Sequence, residues 1–215
     1  MFGTSNNMRA RLAAGEILHQ ESQVRVLRFL WTSEIEWSGR EIARQVKLSA
    51  PTCHEALQRL YARGLLLFRH ISNVHLYKIN SENYLVEKIF APLFKAERSI
   101  PEYVLKLVKR HLVGSPDAKI LSIVLFGSMA RSQERLDSDL DLLVVVPSKE
   151  HQRALEPSLE RLRNGLSKRF GIPLSPYVQT LSDLREKYNR KLPLVLRILK
   201  EGKRVHGKEL KELLA

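Results

Sequence analysis

The stretch GSMARSQERLDSDLDLLVVV, residues 127–146, sets the reading of the C-terminal half. It opens directly after Lys119–Phe126, an apolar, β-branched run carrying Ile120, Leu121, Ile123, Val124, Leu125 and Phe126. It closes in Leu142-Leu143-Val144-Val145-Val146, a second run of strand type. Two hydrophobic strands therefore bracket a polar loop. Side chains at i and i+2 of a strand point the same way, so Asp139 and Asp141 aim two carboxylates at one point. Such a pair repels itself unless a cation sits between, and hard divalent cations, Mg²⁺ above all, take oxygen ligands together with substrate phosphates. Gly127 lets backbone approach a ligand closely. Ser128 opens a short helix whose N–H groups favour an anion, and Arg131 adds positive charge near it.

With this spacing, Gly127-Ser128, Ala130-Arg131 and Ser138-Asp139-x-Asp141 resemble the minimal nucleotidyltransferases of the DNA polymerase β superfamily. The resemblance implies Mg²⁺ held by Asp139 and Asp141 as the catalytic and metal-binding pair. It implies a nucleoside triphosphate, ATP in the first instance, gripped by Gly127, Ser128, Arg131 and Ser138, and nucleotidyl transfer to an acceptor hydroxyl. The acceptor is open: a protein side chain, a nucleic-acid end or a small molecule. Ser132 departs from the Gly of many members. A larger departure lies downstream of a helix over about 149–170. The family's third carboxylate, which helps activate the acceptor, sits on a later strand, and Leu174–Thr180 contains neither Asp nor Glu. Asp183 reads as the first turn of a following helix, a good dipole position, and not as the base. The tail, Leu194 to Glu201 and then 202–207, reads as a helix and a short extended piece.

The N-terminal half changes period. From Glu16 a helical stripe carries Val24, Leu27, Phe29, Leu30 and Trp31. Ser38 and Glu41 have capping-box spacing ahead of a helix over about 38–46. Ser49 caps a third helix, with Pro51 in its first turn and Gly64 beyond its end. Leu65–His70 and His75–Ile79 then read as strands joined at Ser72-Asn73. The order, over about residues 20–80, resembles the winged helix-turn-helix family. That resemblance implies DNA contacts from the third helix and the wing. Ser49, Thr52, His54, Glu55 and Arg59 are the reading-face candidates, although Glu55 would repel phosphate, with Arg40 and Arg44 the phosphate contacts and Arg69, Asn73 and His75 the wing contacts. A winged helix serving protein contacts or homodimerisation is the other use of the fold.

The predicted organisation is a frayed N-terminus (1–15), a winged-helix domain (16–82), a helical connector (83–115) and a nucleotidyltransferase domain (116–215). In class this is α/β and α+β, the last domain a mixed sheet flanked by helices. Pro92 and Pro101 are expected to kink or divide the connector. The 215 residues carry 36 Lys/Arg against 23 Asp/Glu, a net charge of +13 spread as +4, +2 and +7 over residues 1–85, 86–117 and 118–215. This favours a polyanionic partner without singling out one face. One cysteine, Cys53, excludes an intramolecular disulfide framework and a multi-cysteine zinc site. No apolar run is long enough to span a bilayer and no signal segment is seen, so a cytoplasmic location is expected. Two functions follow: an Mg²⁺-dependent nucleotidyltransferase coupled to a DNA-binding winged helix, or a transcriptional regulator whose C-terminal domain senses nucleotide without turning it over.

Overall fold

The computed structural model of the protein describes residues 14–113, 119–130 and 138–215. The chain divides into two compact units between Arg98 and Ser99.

In the first unit the helix Glu21–Ser33 buries Gln23, Val26, Leu27 and Leu30 along one face and stops at Glu34, whose φ is 55°. A two-residue strand, β1 (Trp37–Ser38), leads into the helix Gly39–Gln45. The capping box forms as the spacing predicts. Glu41 N–H donates to Ser38 Oγ at 3.3 Å, and Ser38 N–H donates to Glu41 Oε2 at 3.0 Å. The Ser38 hydroxyl also donates to Glu41 Oε2 at 2.6 Å, and this bond, together with the one from Ser38 N–H, holds the Glu41 carboxyl below its usual range. A turn through Lys47 (φ 53°) delivers the helix Ala50–Ala62, where Thr52 N–H donates to Ser49 Oγ and Pro51 sits in the first turn. Strands β2 (Leu66–Ile71) and β3 (Val74–Ile79) pair antiparallel around Ser72-Asn73, in the sheet order β1-β3-β2. Val26, Leu27, Leu30, Ile42, Leu57 and Leu60 meet in one core. This is a winged helix. The sequence misses β1, whose two residues are too few to show alternation, and the break at Gln20 that separates a helical segment over residues 14–19 from the helix Glu21–Ser33; Ala14 and Gly15, expected in a frayed terminus, are helical.

The chain then runs through a π-helical turn, Val86–Phe90, into the helix Ala91–Val108 and a second π-helical turn, Lys109–Val113. Pro101 lies inside that helix and does not divide it. Proline removes one N–H donor there, and burial of the flanking apolar residues outweighs that loss. Phe90 and Phe94 belong to the first unit's core, and Val104, Leu107, Val108 and Leu112 to the second unit's.

The second unit is built on a four-stranded mixed sheet of β4 (Ser122–Phe126), β5 (Leu140–Val146), β6 (Leu174–Thr180) and β7 (Lys203–Gly207), in the order β6-β5-β4-β7. β4 is antiparallel to β5 and to β7. β5 is parallel to β6, the crossover being the helix Lys149–Phe170. Leu140, Leu142, Val144 and Val146 pack with Leu155, Leu159, Leu162 and Leu166 on one face. Leu143 and Val145 pack on the other with Leu184, Val195, Ile198, Leu210 and Leu213. A sheet covered on both faces explains why β5 reads as an unbroken apolar run. Asp139 and Asp141 continue the odd-numbered series of β5 back to the strand's entrance, so they leave the sheet on the Leu143 face.

Candidate active site and nucleic-acid interface

β4 ends at Phe126, which is paired with Asp141. The next residue, Gly127, turns with φ +75°, and an ideal β-carbon there would stand 2.0 Å from Asp141 Oδ2. Only glycine leaves that space to a carboxylate, so the Gly-Ser bend and the second aspartate are brought together. On the other side of β5, Asp141 is in register with Ser175 of β6. The Ser175 hydroxyl donates to Asp139 Oδ2 at 2.8 Å. One end of the sheet thus gathers Gly127, Asp139, Asp141 and Ser175. Asp139 is exposed, and Ser128, Ser138 and Asp141 are half-buried. Arg131 lies outside the described residues.

Two carboxylates on one side of a strand, backed by a backbone that makes room for one of them, supply hard oxygen donors of the kind that suits Mg²⁺. Among the described residues no third His, Cys, Asp or Glu joins them as a metal-binding cluster. Along β6 the side chains on the Asp141 side are Ser175, Tyr177 and Gln179. Asp183 belongs to the helix Leu181–Asn189, where its N–H donates to Thr180 Oγ1 at 3.1 Å. Five strand residues, roughly 17 Å at 3.3 Å each, separate Thr180 from Ser175, so Asp183 sits at the opposite end of the sheet. Farther along the same face Lys187 Nζ bonds Gln179 Oε1 and Tyr177 OH and lies over the Tyr177 ring.

Sequence reasoning recognises β6 as a strand but not Ser175 as a neighbour of the aspartates. The signal was partial: an apolar strand, a long amphipathic helix and another strand announce a parallel crossover. The register that puts residue 175 opposite 141 is not written in that pattern.

In the first unit every proposed DNA-contact residue is exposed. A cleft of about 750 Å³ opens between the start of the helix Gly39–Gln45, the helix Ala50–Ala62 and the β2–β3 hairpin, and it gathers Arg40, His54, Asn73 and His75. Leu57 and Tyr77, both buried, are among its lining residues. Arg44, Ser49, Thr52, Arg59 and Arg69 are not. The hydroxyls of Ser49 and Thr52 bond each other at 2.7 Å. Arg59 pairs with Glu55 at 2.6 Å, and Arg69 with Glu36 at 2.9 Å. Ring contacts link Tyr61 to Phe68 and Phe68 to Tyr77 and His75, and His75 to His70, along one face of the hairpin.

Residues 113–210 match the family model described as polymerase beta, nucleotidyltransferase. The second unit is therefore a nucleotidyltransferase domain of that family. No curated protein matches the chain. Among solved structures, one similar chain is the homodimeric winged helix-turn-helix DNA-binding domain of a possible ArsR-family transcriptional regulator from Mycobacterium bovis. It is 23% identical with a TM-score of 0.36, over 46% of this chain and 93% of that one. An antimony-specific transcriptional repressor is 21% identical with a TM-score of 0.38, over 45% and 85%. A toxin–antitoxin complex with AMP-PNP is 17% identical with a TM-score of 0.34, over 51% and 80%.

Proposed function

We propose that the protein is an Mg²⁺-dependent nucleotidyltransferase that moves a nucleoside monophosphate from a triphosphate, ATP first, to an acceptor hydroxyl, and that its winged helix binds DNA. The observation that carries the transferase reading is the close approach of Gly127 to Asp141, with Asp139 two residues before it on the same side of β5. Asp139 and Asp141 would hold the cation. When bound, it offsets the negative charge that develops on the phosphates and orients them. The Gly127-Ser128 bend brings backbone and a hydroxyl donor to the triphosphate. The acceptor oxygen attacks the α-phosphorus in line, and pyrophosphate leaves. β6 offers Ser175 where an acid would assist, so the acceptor's proton passes to water or to a group that the acceptor brings. General-base help is worth roughly 10²–10⁴-fold, which makes unassisted transfer slow without weakening nucleotide binding.

In the first unit, the cleft between the helix Ala50–Ala62 and the hairpin suits a DNA strand, with Arg40 supplying charge and Asn73 a donor to phosphate, and His54 facing the base edges. Exposed Arg44, Ser49 and Thr52 extend that surface, and Arg59 and Arg69 join it on exchanging their carboxylate partners for phosphate.

The test is incubation with Mg²⁺ and labelled ATP alongside protein, nucleic-acid and small-molecule acceptors, repeated with the double variant Asp139→Asn/Asp141→Asn. Label should appear in one acceptor class with pyrophosphate and vanish in the variant. Transfer persisting in the variant would remove this site from the chemistry. The hydroxyl of Ser175 in place of an acid favours a second reading, a regulator that binds nucleotide without turnover. It predicts Mg²⁺-dependent nucleotide binding with no pyrophosphate from any acceptor.

A further inference from the structure

We propose that Ser175 is a positioning residue of the nucleotidyltransferase site: its hydroxyl fixes the Asp139 carboxylate so that Asp139 and Asp141 present to a divalent cation together. The inference rests on the reading of that site given above.

Asp139 stands just before the first residue of β5 and is exposed. A solvated carboxylate in such a place has several rotamers, and the neighbouring Asp141 repels it in the absence of a cation. Two bonds to the β6 side oppose that freedom. Leu140 N–H donates to the carbonyl of Pro173 at 2.8 Å, which pins the backbone directly after Asp139. Ser175 Oγ donates to Asp139 Oδ2 at 2.8 Å, which pins the side chain. Ser175 is itself held by the parallel ladder, in which every residue from Leu140 to Val146 has a partner from Leu174 to Thr180. The hydroxyl engages one carboxylate oxygen and leaves the other to a cation. A donor that orients a ligand in this way changes metal affinity more than it changes the chemical step, and removing such a partner typically costs 10–100-fold in affinity or activity.

The experiment titrates Mn²⁺ into the full-length protein in the presence of a non-hydrolysable ATP analogue, following free Mn²⁺ by electron paramagnetic resonance and taking as protein-bound only the loss beyond a protein-free titration of the same analogue. Wild type is compared with Ser175→Ala, Ser175→Thr and Asp139→Asn/Asp141→Asn, and thermal melting verifies that each variant is folded. Ser175→Ala should weaken Mn²⁺ binding by roughly tenfold. Ser175→Thr, which keeps the hydroxyl and suits a strand, should restore it. In turnover, the Mn²⁺ concentration for half-maximal rate should rise in Ser175→Ala while the rate at saturating metal stays within about threefold of wild type. Equal Mn²⁺ affinity in wild type and Ser175→Ala overturns the role of Ser175 alone. A wild type that takes no Mn²⁺ with the analogue, or a double variant that binds it undiminished, overturns the reading of the site and this role with it.

Discussion

Asp141 Oδ2 occupies the space that a β-carbon on residue 127 would need, 2.0 Å from its ideal position. The glycine at the end of β4 and the aspartate on β5 are thus one device, because the carboxylate can lie against the bend only if the bend has no side chain. The obstructing atom is the end of a side chain and not backbone, so a substitution displaces the aspartate sooner than it breaks the sheet.

Gly127→Ala follows from that contact. The φ of +75° costs an L-residue about 1–2 kcal/mol, so the second unit should melt a few degrees lower and still fold. Metal-dependent nucleotide binding should fall at least tenfold as Asp141 is pushed aside. Calorimetric titration with Mg²⁺ and ATP, beside a thermal melt, measures both, and unchanged binding would show that the carboxylate tolerates displacement.

Ser175→Asp places an acid beside Asp139 and Asp141 on the strand that has none. Slow transfer to a hydroxyl acceptor should become at least tenfold faster at saturating Mg²⁺, within the roughly 10²–10⁴-fold that general bases supply. Without metal the same variant should be less stable than wild type, since three carboxylates then share one end of the sheet. Initial rates with labelled ATP, and melts with and without Mg²⁺, give the two readouts.

For DNA, Arg40→Ala should weaken binding about equally across sequences and reduce the slope of log affinity against log salt by about one, the loss of one phosphate contact. His54→Ala should change the preference among sequences, because its place on the helix Ala50–Ala62 is the one suited to base edges. Fluorescence anisotropy at several salt concentrations separates the two effects.

Cys53 is buried, and burial pushes its thiol up from 9.0 to about 11. The fold favours the neutral thiol. Its contribution is therefore complete below pH 9 and is lost as the pH rises from about 9 through 11. The buried Tyr77 hydroxyl is raised as well, chiefly by burial and further by Cys53. Native protein should resist thiol reagents at pH 8. Melts of the first unit should fall between pH 9 and 11, less steeply for Cys53→Ala.

How much of this was legible in the residues varies with the kind of signal. Helix starts were local, so Ser38, Glu41, Ser49 and Pro51 located two helices that the structure shows at Gly39–Gln45 and Ala50–Ala62. The hairpin turn at Ser72-Asn73 and the strand Leu174–Thr180 were equally local. The aspartates' shared face followed from strand period alone. Pairing partners were not legible, because backbone hydrogen bonds between strands carry no side-chain code. Nothing in residues 203–207 announces that they border β4, and nothing in Ser175 announces that it meets Asp139. The expected division at Pro101 does not occur, because a local rule is opposed by the burial of Phe94 on one side of it and Val104 on the other.

On the proposed function, the acid pair and the glycine bend together bind a metal–nucleotide complex. Isothermal titration of ATP into wild-type protein with Mg²⁺, with chelator in place of Mg²⁺, and into Asp139→Asn/Asp141→Asn with Mg²⁺ tests it most directly. Saturable binding is expected in the first titration alone. Equal heats in all three, or binding that survives both the chelator and the double substitution, would contradict it.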